Sequence, residues 1–477
     1  MQCACLRVLL TLCVFVCAGW EHDRFGRYPC AADVDAVVAE SPVFLWRACY
    51  HVAVANTAAL RLAGITAETA DPAGGSIDRD EQGRPTGLLR EKAAGMVEAL
   101  ILESAERRRQ YVEVGLDYCL RMGLTCVQTN DERCWSTYKQ LADESKLPLR
   151  VFLTIMHAEM GMEGQPVAGQ EHGPLLSCHR IKMFADGALG AETAALTQPY
   201  VHRCAHTQHS HSHAEEHAAD GQGKRDNYGI LIYSQESMDE KVRRAHELGY
   251  RIEMHVIGDR AAEMAVQALK AAAIPPTARP ILTHCQVLSA SLLRDMAALN
   301  VVADIQPQFA TTDCRWVDDR LSPSLQRYAY IWRTLKEGGI RCAGGSDSPI
   351  EVPSPFEGMH AAIFRPRRQY RDMRQHRDDW LQLRRDSAGL TEAERDERLR
   401  EWCGGSWVRE ECLDVRQALE LYTADGAYCA GKESELGVLA VGYMADFVVV
   451  DCDFVRDPHA LLFAAAEEVW VAGVRRK

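Results

Sequence analysis

The sequence lacks the motifs that mark several large enzyme classes. It has no G-x-x-x-x-G-K-[ST] phosphate loop, no G-x-G-x-x-G pattern after a strand and no G-x-S-x-G elbow. It also lacks a basic excess, because 54 lysine and arginine residues face 67 aspartate and glutamate residues, for a net charge of -13. Nucleotide chemistry, serine-nucleophile chemistry and a nucleic acid as the main partner are therefore disfavoured.

The 18 cysteines include no Cys-x-x-Cys pair, so neither a disulfide framework nor a zinc ribbon is predicted. The apolar run from Val8 to Cys17 is too short for an integral membrane span but has the length of a signal-peptide core. Residues 1–18 are therefore a signal-like or a spurious segment. The compartment stays open: a cytoplasmic location is slightly favoured, and the chain is secreted if Met1 to Ala18 is a signal peptide.

The middle of the chain alternates short apolar runs with longer helical patterns, which is typical of a parallel sheet with helices outside. Helices are predicted at residues 237–248, 260–272 and 290–298. Seven strands make one fewer than a closed barrel requires, so the sequence predicts an α/β fold, a TIM-type (β/α)8 barrel that is incomplete by one strand, here called the first strand. The seven strand candidates are Leu124–Gln128, Arg150–Ile155, Arg180–Phe184, Arg251–Val256, Pro280–His284, Val301–Ile305 and Arg341–Gly344.

The other segments are assigned by composition. Residues 19–122 are predicted to be a loop-rich excursion over the barrel mouth, because 71–87 is rich in Gly, Pro and Asp. Residues 123–436 carry the barrel, and 437–477 are the remnant of a small β-sandwich, with strand-like runs at 437–442, 445–451 and 469–474. Two insertions interrupt the barrel: solvated helices at 367–407, and a flexible loop at 203–227 that contains His206, His209, His211, His213 and His217.

Four polar residues share one structural position, at the ends of strand candidates: Lys182, His255, His284 and Asp347. Parallel barrel strands bring such residues together at one mouth. Two imidazoles at adjacent strand ends favour a metal site over two satisfied core histidines, and neutral imidazole suits zinc, iron or nickel. Asp347, on a tight turn after a strand, could bind the metal and collect a proton for the leaving group.

The sequence supports two interpretations of Lys182 equally. Its apolar neighbours favour a neutral amine, which can react with carbon dioxide to form a carbamate that bridges two metal ions. The alternative is an ordinary ion pair with Asp186 or another acid.

These segments resemble amidohydrolase family 3, which includes the metal-dependent hydrolases related to N-substituted formamide deformylase. The similarity covers nearly all of residues 19–477. It is carried by Ser41-Pro-Val-Phe-Leu-Trp-Arg47, His51, Asn56, residues 71–80, Pro85-Thr-Gly87, Glu91, Ile181-Lys-Met-Phe-Ala-Asp-Gly187, His255-Val-Ile-Gly-Asp-Arg260, His284-Cys-Gln286, Gln306-Pro307 and Gly345-Ser-Asp-Ser-Pro349.

The resemblance implies a hydrolase of carbon-nitrogen bonds other than peptide bonds, such as amides or formamides, with a small amide-like substrate. One or two divalent metal ions, with zinc as the expected metal, would be bound by Lys182, His255, His284 and Asp347, and the lysine would be carboxylated. Lys182 and Asp347 would be catalytic, and a homodimer is compatible with the family. The substrate-binding residues would be His51, Asn56, Asp259, Arg260, Gln286 and Gln306.

The sequence departs from the family pattern in two places. Cys49 and Tyr50 precede His51 where the family has Asp-Gly, and no His-x-His pattern on an apolar strand occurs before Gly19. We therefore expect an open seam in the barrel and a metal site short of two imidazoles, which leaves the activity of this chain open. Two alternatives to a hydrolase remain: a non-catalytic descendant that binds a small molecule or metal, and a secreted metal-binding protein that uses the histidine-rich loop.

Overall fold

The computed structural model describes residues 14–22, 25–101, 103–201 and 226–477. The first part of the signal-like segment, residues 1–13, lies outside the described residues. The histidine-rich insertion up to residue 225 also lies outside the described residues. The prediction of a flexible loop that contains five histidines falls on this segment.

The first part of the chain forms a five-stranded sheet with the strand order β1-β2-β3-β5-β4, in which β1 runs parallel to β2 and the other pairs are antiparallel. A core of its own, which includes Phe44, Ile77 and Leu89, lies between this sheet and its helices. The elements are β1 (Phe15–Trp20), α1 (Ala31–Asp35), β2 (Val43–Arg47), β3 (Val52–Ala55), α2 (Thr57–Leu62), β4 (Gly75–Arg79), β5 (Pro85–Glu91) and α3 (Lys92–Glu98).

The prediction of a loop-rich segment at residues 71–87 is wrong in part, because β4 and the start of β5 lie there. The glycines serve the turns that flank the strands: Gly74 and Gly83 have φ angles of +80° and +77°, which suit residues without a Cβ. Ile77, in the centre of β4, is buried and anchors the strand to the sheet core.

The second sheet contains seven parallel strands in the order β13-β12-β11-β10-β9-β7-β6, and the short β8 pairs antiparallel with β9. All seven predicted strands are present, although β8 was not predicted. Within the described residues β6 and β13 do not pair with each other, so the sheet has two outer strands. Its strands are β6 (Cys126–Thr129), β7 (Arg150–Met156), β8 (Gln170–His172), β9 (Leu176–Phe184), β10 (Arg251–Val256), β11 (Ile281–His284), β12 (Val302–Ile305) and β13 (Arg341–Gly344).

Helices follow the parallel strands, and the three predicted crossover helices are confirmed as α6, α7 and α8. Ser234 and Ser289 begin α6 and α8 by accepting a hydrogen bond from the backbone N–H three residues later. The helices up to β13 are α4 (Ala105–Arg121), α5 (Trp135–Asp143), α6 (Gln235–Glu247), α7 (Asp259–Ala271), α8 (Ala290–Ala298), α9 (Pro307–Asp313), α10 (Val317–Arg320), α11 (Pro323–Gln326) and α12 (Trp332–Glu337).

Residues 367–407 form helices, as predicted for this insertion. These helices have a small core of their own around Tyr370, Trp380 and Leu399. The helices after β13 are α13 (Pro355–Phe364), α14 (Tyr370–Gln375), α15 (Arg377–Asp386), α16 (Glu392–Trp402), α17 (Val415–Tyr422) and α18 (Ala424–Ala430). Short 3₁₀ turns lie at His157–Glu159, Leu189–Ala191, Pro276–Ala278, Arg409–Glu411 and Pro458–Phe463.

The helices α17 and α18 lie beside the outer strands of the parallel sheet. Both pack against β13, and Gln128 at the other outer strand donates a hydrogen bond to the carbonyl of Gly426 over 2.9 Å. Cys429 of α18 packs with Ile281 and Val302 of the inner strands. This helix pair therefore contacts both outer strands.

The chain ends in a three-stranded antiparallel sheet, β14 (Phe447–Val450), β15 (Ala466–Val471) and β16 (Val474–Arg475). The predicted strand at 437–442 is wrong: this stretch has no strand, and Gly437 and Gly442 have φ angles of +91° and +94°. No helix among the described residues has the length and apolar character needed to cross a bilayer. Every cysteine in the described part of the chain is a free thiol, as the cysteine spacing predicts.

Candidate active site

Towards the ends of β9 and β10, polar and charged side chains occupy one face of the sheet, while apolar residues occupy the other. Ile181, Met183, Ile252 and Met254 belong to the main hydrophobic core. Because successive side chains on a strand point to opposite faces, the residues between them share the other face. They are Arg180 and Lys182 on β9 and Glu253 and His255 on β10. The pairing places Glu253 beside Lys182.

His255 and His284 end neighbouring strands, and their ring centroids lie 4.4 Å apart. Nε2 of His255 lies 3.1 Å from the carbonyl oxygen of Gly187, and Nδ1 of His284 lies 2.7 Å from Oε1 of Gln306. Both oxygens can only accept, so each of these ring nitrogens carries the hydrogen. The other nitrogen of each ring makes no hydrogen bond to the described residues and can donate a lone pair.

Both imidazoles are neutral. Burial, with a smaller contribution from nearby Lys182, lowers the pKa of His284 to about 3, although the hydrogen bond to Gln306 works in the opposite direction. Burial also lowers the pKa of His255 well below its usual value, with contributions from His284, His51 and Lys182. Neutral imidazole is the form that binds a metal ion.

Lys182 is buried and donates to two side chains, Oε1 of Glu253 at 2.9 Å and Oγ1 of Thr283 at 2.9 Å. Glu253 also accepts from Arg180 over 3.1 Å. Burial would raise the pKa of Glu253, but Lys182 and Arg180 outweigh it and lower the pKa to about 2. Glu253 is therefore ionised. Lys182 is paired with an acidic residue, which is one of the two alternatives that the sequence left open.

Asp347 follows β13 on a turn with a φ of +53° and is exposed to solvent at the mouth of the sheet. Protein nevertheless surrounds its carboxyl group closely enough to raise its pKa to about 6, against the opposing charges of Lys182 and His51. Burial likewise raises the pKa of Asp304, on the next strand, to about 7, and Glu253 adds to that shift. Two carboxyl groups near this mouth thus titrate close to neutral pH.

The first sheet contributes His51 from the turn between β2 and β3. Its Nδ1 lies 2.8 Å from Oε2 of Glu91, and its ring centroid lies 5.0 Å from that of His255. Burial opposes the charge on His51, but Glu91 outweighs it and raises the pKa of His51 to about 9. A protonated imidazole therefore faces the neutral histidine pair.

The predicted site residues do not all meet. Lys182, His255, His284 and Asp347 lie at the same end of the sheet, and Gln306 and His51 contact the histidines. The other four predicted residues lie in contacts of their own, as described next.

Asn56 is fully buried at the start of α2, where its side chain accepts from the backbone N–H groups of Val43 and Ala59. Asp259 accepts from the backbone N–H groups of Thr197 and Arg260. Arg260 is exposed at the start of α7, and Gln286 donates to Asp313 over 3.4 Å. None of these contacts points to a substrate.

Glu253 and Asp304 were missed by the sequence reasoning. A signal was available, because each stands two residues before a predicted site residue, His255 or Gln306. The two-residue period of a strand places such pairs on the same face.

As a metal site, this cluster fits in part. Two neutral imidazoles with open nitrogens and a carboxylate are donor types that zinc accepts. Lys182 does not fit as it stands, because its nitrogen already donates hydrogen bonds to Glu253 and Thr283. Across the described ranges, no group of three or more His, Cys, Asp or Glu side chains is placed to hold a metal ion.

Comparison with known proteins finds relatives that are similar to this chain over nearly its whole length. "Putative amidohydrolase YtcJ" of Bacillus subtilis is 32% identical over 454 residues, 93% of this chain and 76% of that protein. The N-substituted formamide deformylase of Arthrobacter pascens is 25% identical over 461 residues, 92% of this chain and 73% of the enzyme.

Solved structures show the same fold. An uncharacterized metal-dependent hydrolase from Pyrococcus horikoshii OT3 aligns with a TM-score of 0.65 and 23% identity, over 94% of this chain and 78% of the other. A Pyrococcus furiosus protein of the same description aligns with a TM-score of 0.63 and 24% identity, over 93% and 78% of the two chains. The profile of the amidohydrolase family matches residues 14–476. The chain therefore belongs to the amidohydrolase family.

Proposed function

We propose that this chain is a metal-dependent hydrolase that cleaves a carbon-nitrogen bond other than a peptide bond in a small amide-like substrate. The observation that carries the proposal is the pair of neutral imidazoles, His255 and His284, with ring centroids 4.4 Å apart at adjacent strand ends. The description of one relative as a deformylase of N-substituted formamides supports the type of bond.

The open ring nitrogens of His255 and His284 are the groups that would hold a divalent ion, with zinc as the first candidate. The Asp347 carboxylate would complete the set only after moving towards the ion, because the three side chains as placed do not form a metal site. The ion, when bound, supplies the positive charge that activates a water molecule for attack. Gln306 fixes the orientation of the His284 ring through its hydrogen bond.

Proton transfer falls to Asp347 in this proposal. Its pKa of about 6 lets the carboxylate accept a proton near neutral pH and pass it to the leaving nitrogen. His51 is the second polar group at the mouth: its protonated ring is suited to donate a hydrogen bond to a substrate carbonyl oxygen. The sheet of residues 14–101 that carries His51 would then cover the substrate.

The test is the metal content of purified protein, measured by mass spectrometry after dialysis against zinc. We expect the wild type to retain zinc, and the His255→Ala and His284→Ala variants to lose it. His179→Ala is the matched control, because His179 lies on β9 outside this cluster and its loss should leave the zinc content unchanged. Zinc retention in both site variants would contradict the proposal.

Hydrolysis is tested on a panel of formamides and other small amides. The Asp347→Asn variant should still bind zinc through His255 and His284. Its rate of hydrolysis should fall by about 10²–10⁴-fold, because the asparagine side chain cannot accept the proton. A wild-type protein that binds zinc and hydrolyses no amide on the panel would contradict the hydrolytic part of the proposal.

A further inference from the structure

A cavity of about 360 Å³ lies at the end of the parallel sheet opposite to His255 and His284. Arg251, the first residue of β10, belongs to its wall, whereas His255 lies near the other end of the same strand. Four residue steps along a strand span about 13 Å, so the cavity is separate from the candidate active site. Its volume is typical of small-molecule sites, and Thr277 and Gly431 in its wall are exposed, so a ligand can enter from solvent.

The charged side chains in the wall of this cavity are mainly cationic. Arg251, Arg279 and Lys432 line it together with one carboxylate, that of Glu433. Arg279 is held in place by an ion pair with Glu433 over 2.6 Å and by the ring of Tyr428, whose centroid lies 4.0 Å from the guanidinium carbon. The wall therefore carries more positive than negative charge.

Arg251 bonds to backbone carbonyls and, in the described part of the chain, to no carboxylate. It donates to the carbonyls of Cys429 over 2.7 Å, Arg279 over 3.1 Å and Ala278 over 3.3 Å. These bonds use three of its five N–H groups, so two remain for a ligand. Burial, with smaller contributions from Arg180 and Arg279, lowers the pKa of Arg251 to about 10, and a bound anion would oppose this shift.

Lys432 lies at the edge of the cavity, where two acidic side chains accompany it. Its Nζ atom is 3.3 Å from Glu171 and 3.5 Å from Glu435, and both glutamates are about half exposed. Exposed pairs of this kind stabilise a protein little, so Lys432 can turn to an anion in the cavity at small cost. Its charge already acts on His179 in the same wall: burial lowers the pKa of His179, and Lys432 adds to this shift although Glu171 opposes it.

We propose that this cavity binds a small molecule through an oxyanion group, a phosphate or a carboxylate, which is held by Arg251, Arg279 and Lys432. The planar guanidinium group of arginine matches the oxygen geometry of both anions. The alternative is that Arg251 only holds β10 to the end of α18, in which case no anion binds. The inference is independent of the proposed function, because the site needs neither the metal ion nor hydrolysis.

The first test is isothermal titration calorimetry of the full chain with inorganic phosphate and, separately, with succinate, at constant ionic strength. We expect a saturable site for at least one of the two probes, and the probe that binds identifies the group. Arg279→Gln should weaken binding about tenfold, because it removes a charge-assisted hydrogen bond. Glu433→Gln should strengthen binding about threefold, because Arg279 then has no competing anion. Arg251 is left unchanged, since its three carbonyl bonds also hold β10 to α18.

The matched controls are Arg243→Gln and Glu247→Gln. Arg243 and Glu247 form an ion pair on α6, outside the cavity, with the same N–O distance of 2.6 Å as Arg279 and Glu433. Both controls should bind the probe as the wild type does. Binding of neither probe, or binding that Arg279→Gln and Glu433→Gln leave unchanged, would overturn the proposal.

The second test places the bound probe by NMR of the histidine side chains in ¹⁵N-labelled, zinc-free protein. The probe should shift the signal of His179, which is assigned by its loss in His179→Gln, and should leave the signals of His255 and His284 in place. A probe that shifts the signals of His255 and His284 but not that of His179 would bind at the candidate active site instead and would overturn the proposal.

Discussion

The His51 imidazole depends mainly on the carboxylate of Glu91 for its charge. The pKa of His51 is raised to about 9, above its unfolded value of 6.5, so the pair stabilises the fold fully below pH 6.5. This contribution is lost as the pH rises through 9. We expect it to be worth roughly 1–3 kcal/mol, since one pKa unit corresponds to about 1.4 kcal/mol.

Urea unfolding of the wild type and of Glu91→Gln, measured at pH 6 and at pH 9.5, checks this prediction. The variant should be less stable than the wild type at pH 6, and the difference should shrink at pH 9.5. The matched control is Asp143→Asn, which breaks the more exposed pair with His172 and should change stability little. Equal differences at both pH values would show that Glu91 does not hold a protonated His51.

Sequence reasoning found the residues whose position on a strand reveals them. His255 and His284 were predicted because each ends an apolar strand. Glu253 was not predicted: its two-residue spacing from His255 places it on the same face, but nothing in the sequence marks it as the partner of a lysine 71 positions away. That distance is closed only by the pairing of β9 and β10.

At the scale of elements, the strands of the parallel sheet were predictable because each is a short apolar run that crossover helices separate. The strands of the first sheet were harder to recognise. Gly, Pro and Asp crowd into the turns around β4 and β5 and hide the short strands between them. The error at 437–442 is the reverse case, in which an apolar stretch between two glycines lies on the surface, with Leu439 and Val441 exposed.

Asn56 illustrates how a residue predicted to bind substrate can instead hold elements together. Its side chain accepts from Val43 and Ala59 and donates to the carbonyls of Val38 and Ser41, over 2.8–3.0 Å. These four bonds join the start of α2 to β2 and the turn before it. Asn56→Ala should therefore destabilise the protein by about 2–4 kcal/mol, since it removes a helix cap and leaves buried polar groups unpaired.

Thermal unfolding and KM are the two measurements that separate the roles of Asn56. The comparison is Ser104→Ala, which removes the exposed cap of α4 and should cost at most about 1 kcal/mol. If Asn56→Ala kept its stability and raised KM several-fold, Asn56 would be a substrate residue after all.

At the scale of the whole molecule, the arrangement of the three sheets could not be predicted from local patterns. It depends on contacts between residues that are far apart in the chain. Gln128 reaches Gly426 across 298 positions, and Arg150 reaches Asp446 across 296. Hydrophobic periodicity identifies the elements that carry these residues but contains no information about which pairs meet.

The Arg150–Asp446 pair joins the C-terminal sheet to β7, and both side chains are only 7% exposed. Asp446 accepts from Nε of Arg150 over 2.5 Å and from the backbone N–H of Ala472 over 2.6 Å.

Asp446→Asn leaves the buried guanidinium without its anion, so we expect the free energy of unfolding to fall by about 3–5 kcal/mol. Urea unfolding measures the loss, and hydrogen exchange should show that β14–β16 lose protection before the parallel sheet does. Asp453→Asn, at an exposed pair with Arg456, should cost less than about 1 kcal/mol. An equally small loss in Asp446→Asn would mean that the C-terminal sheet is held to β7 by apolar packing instead.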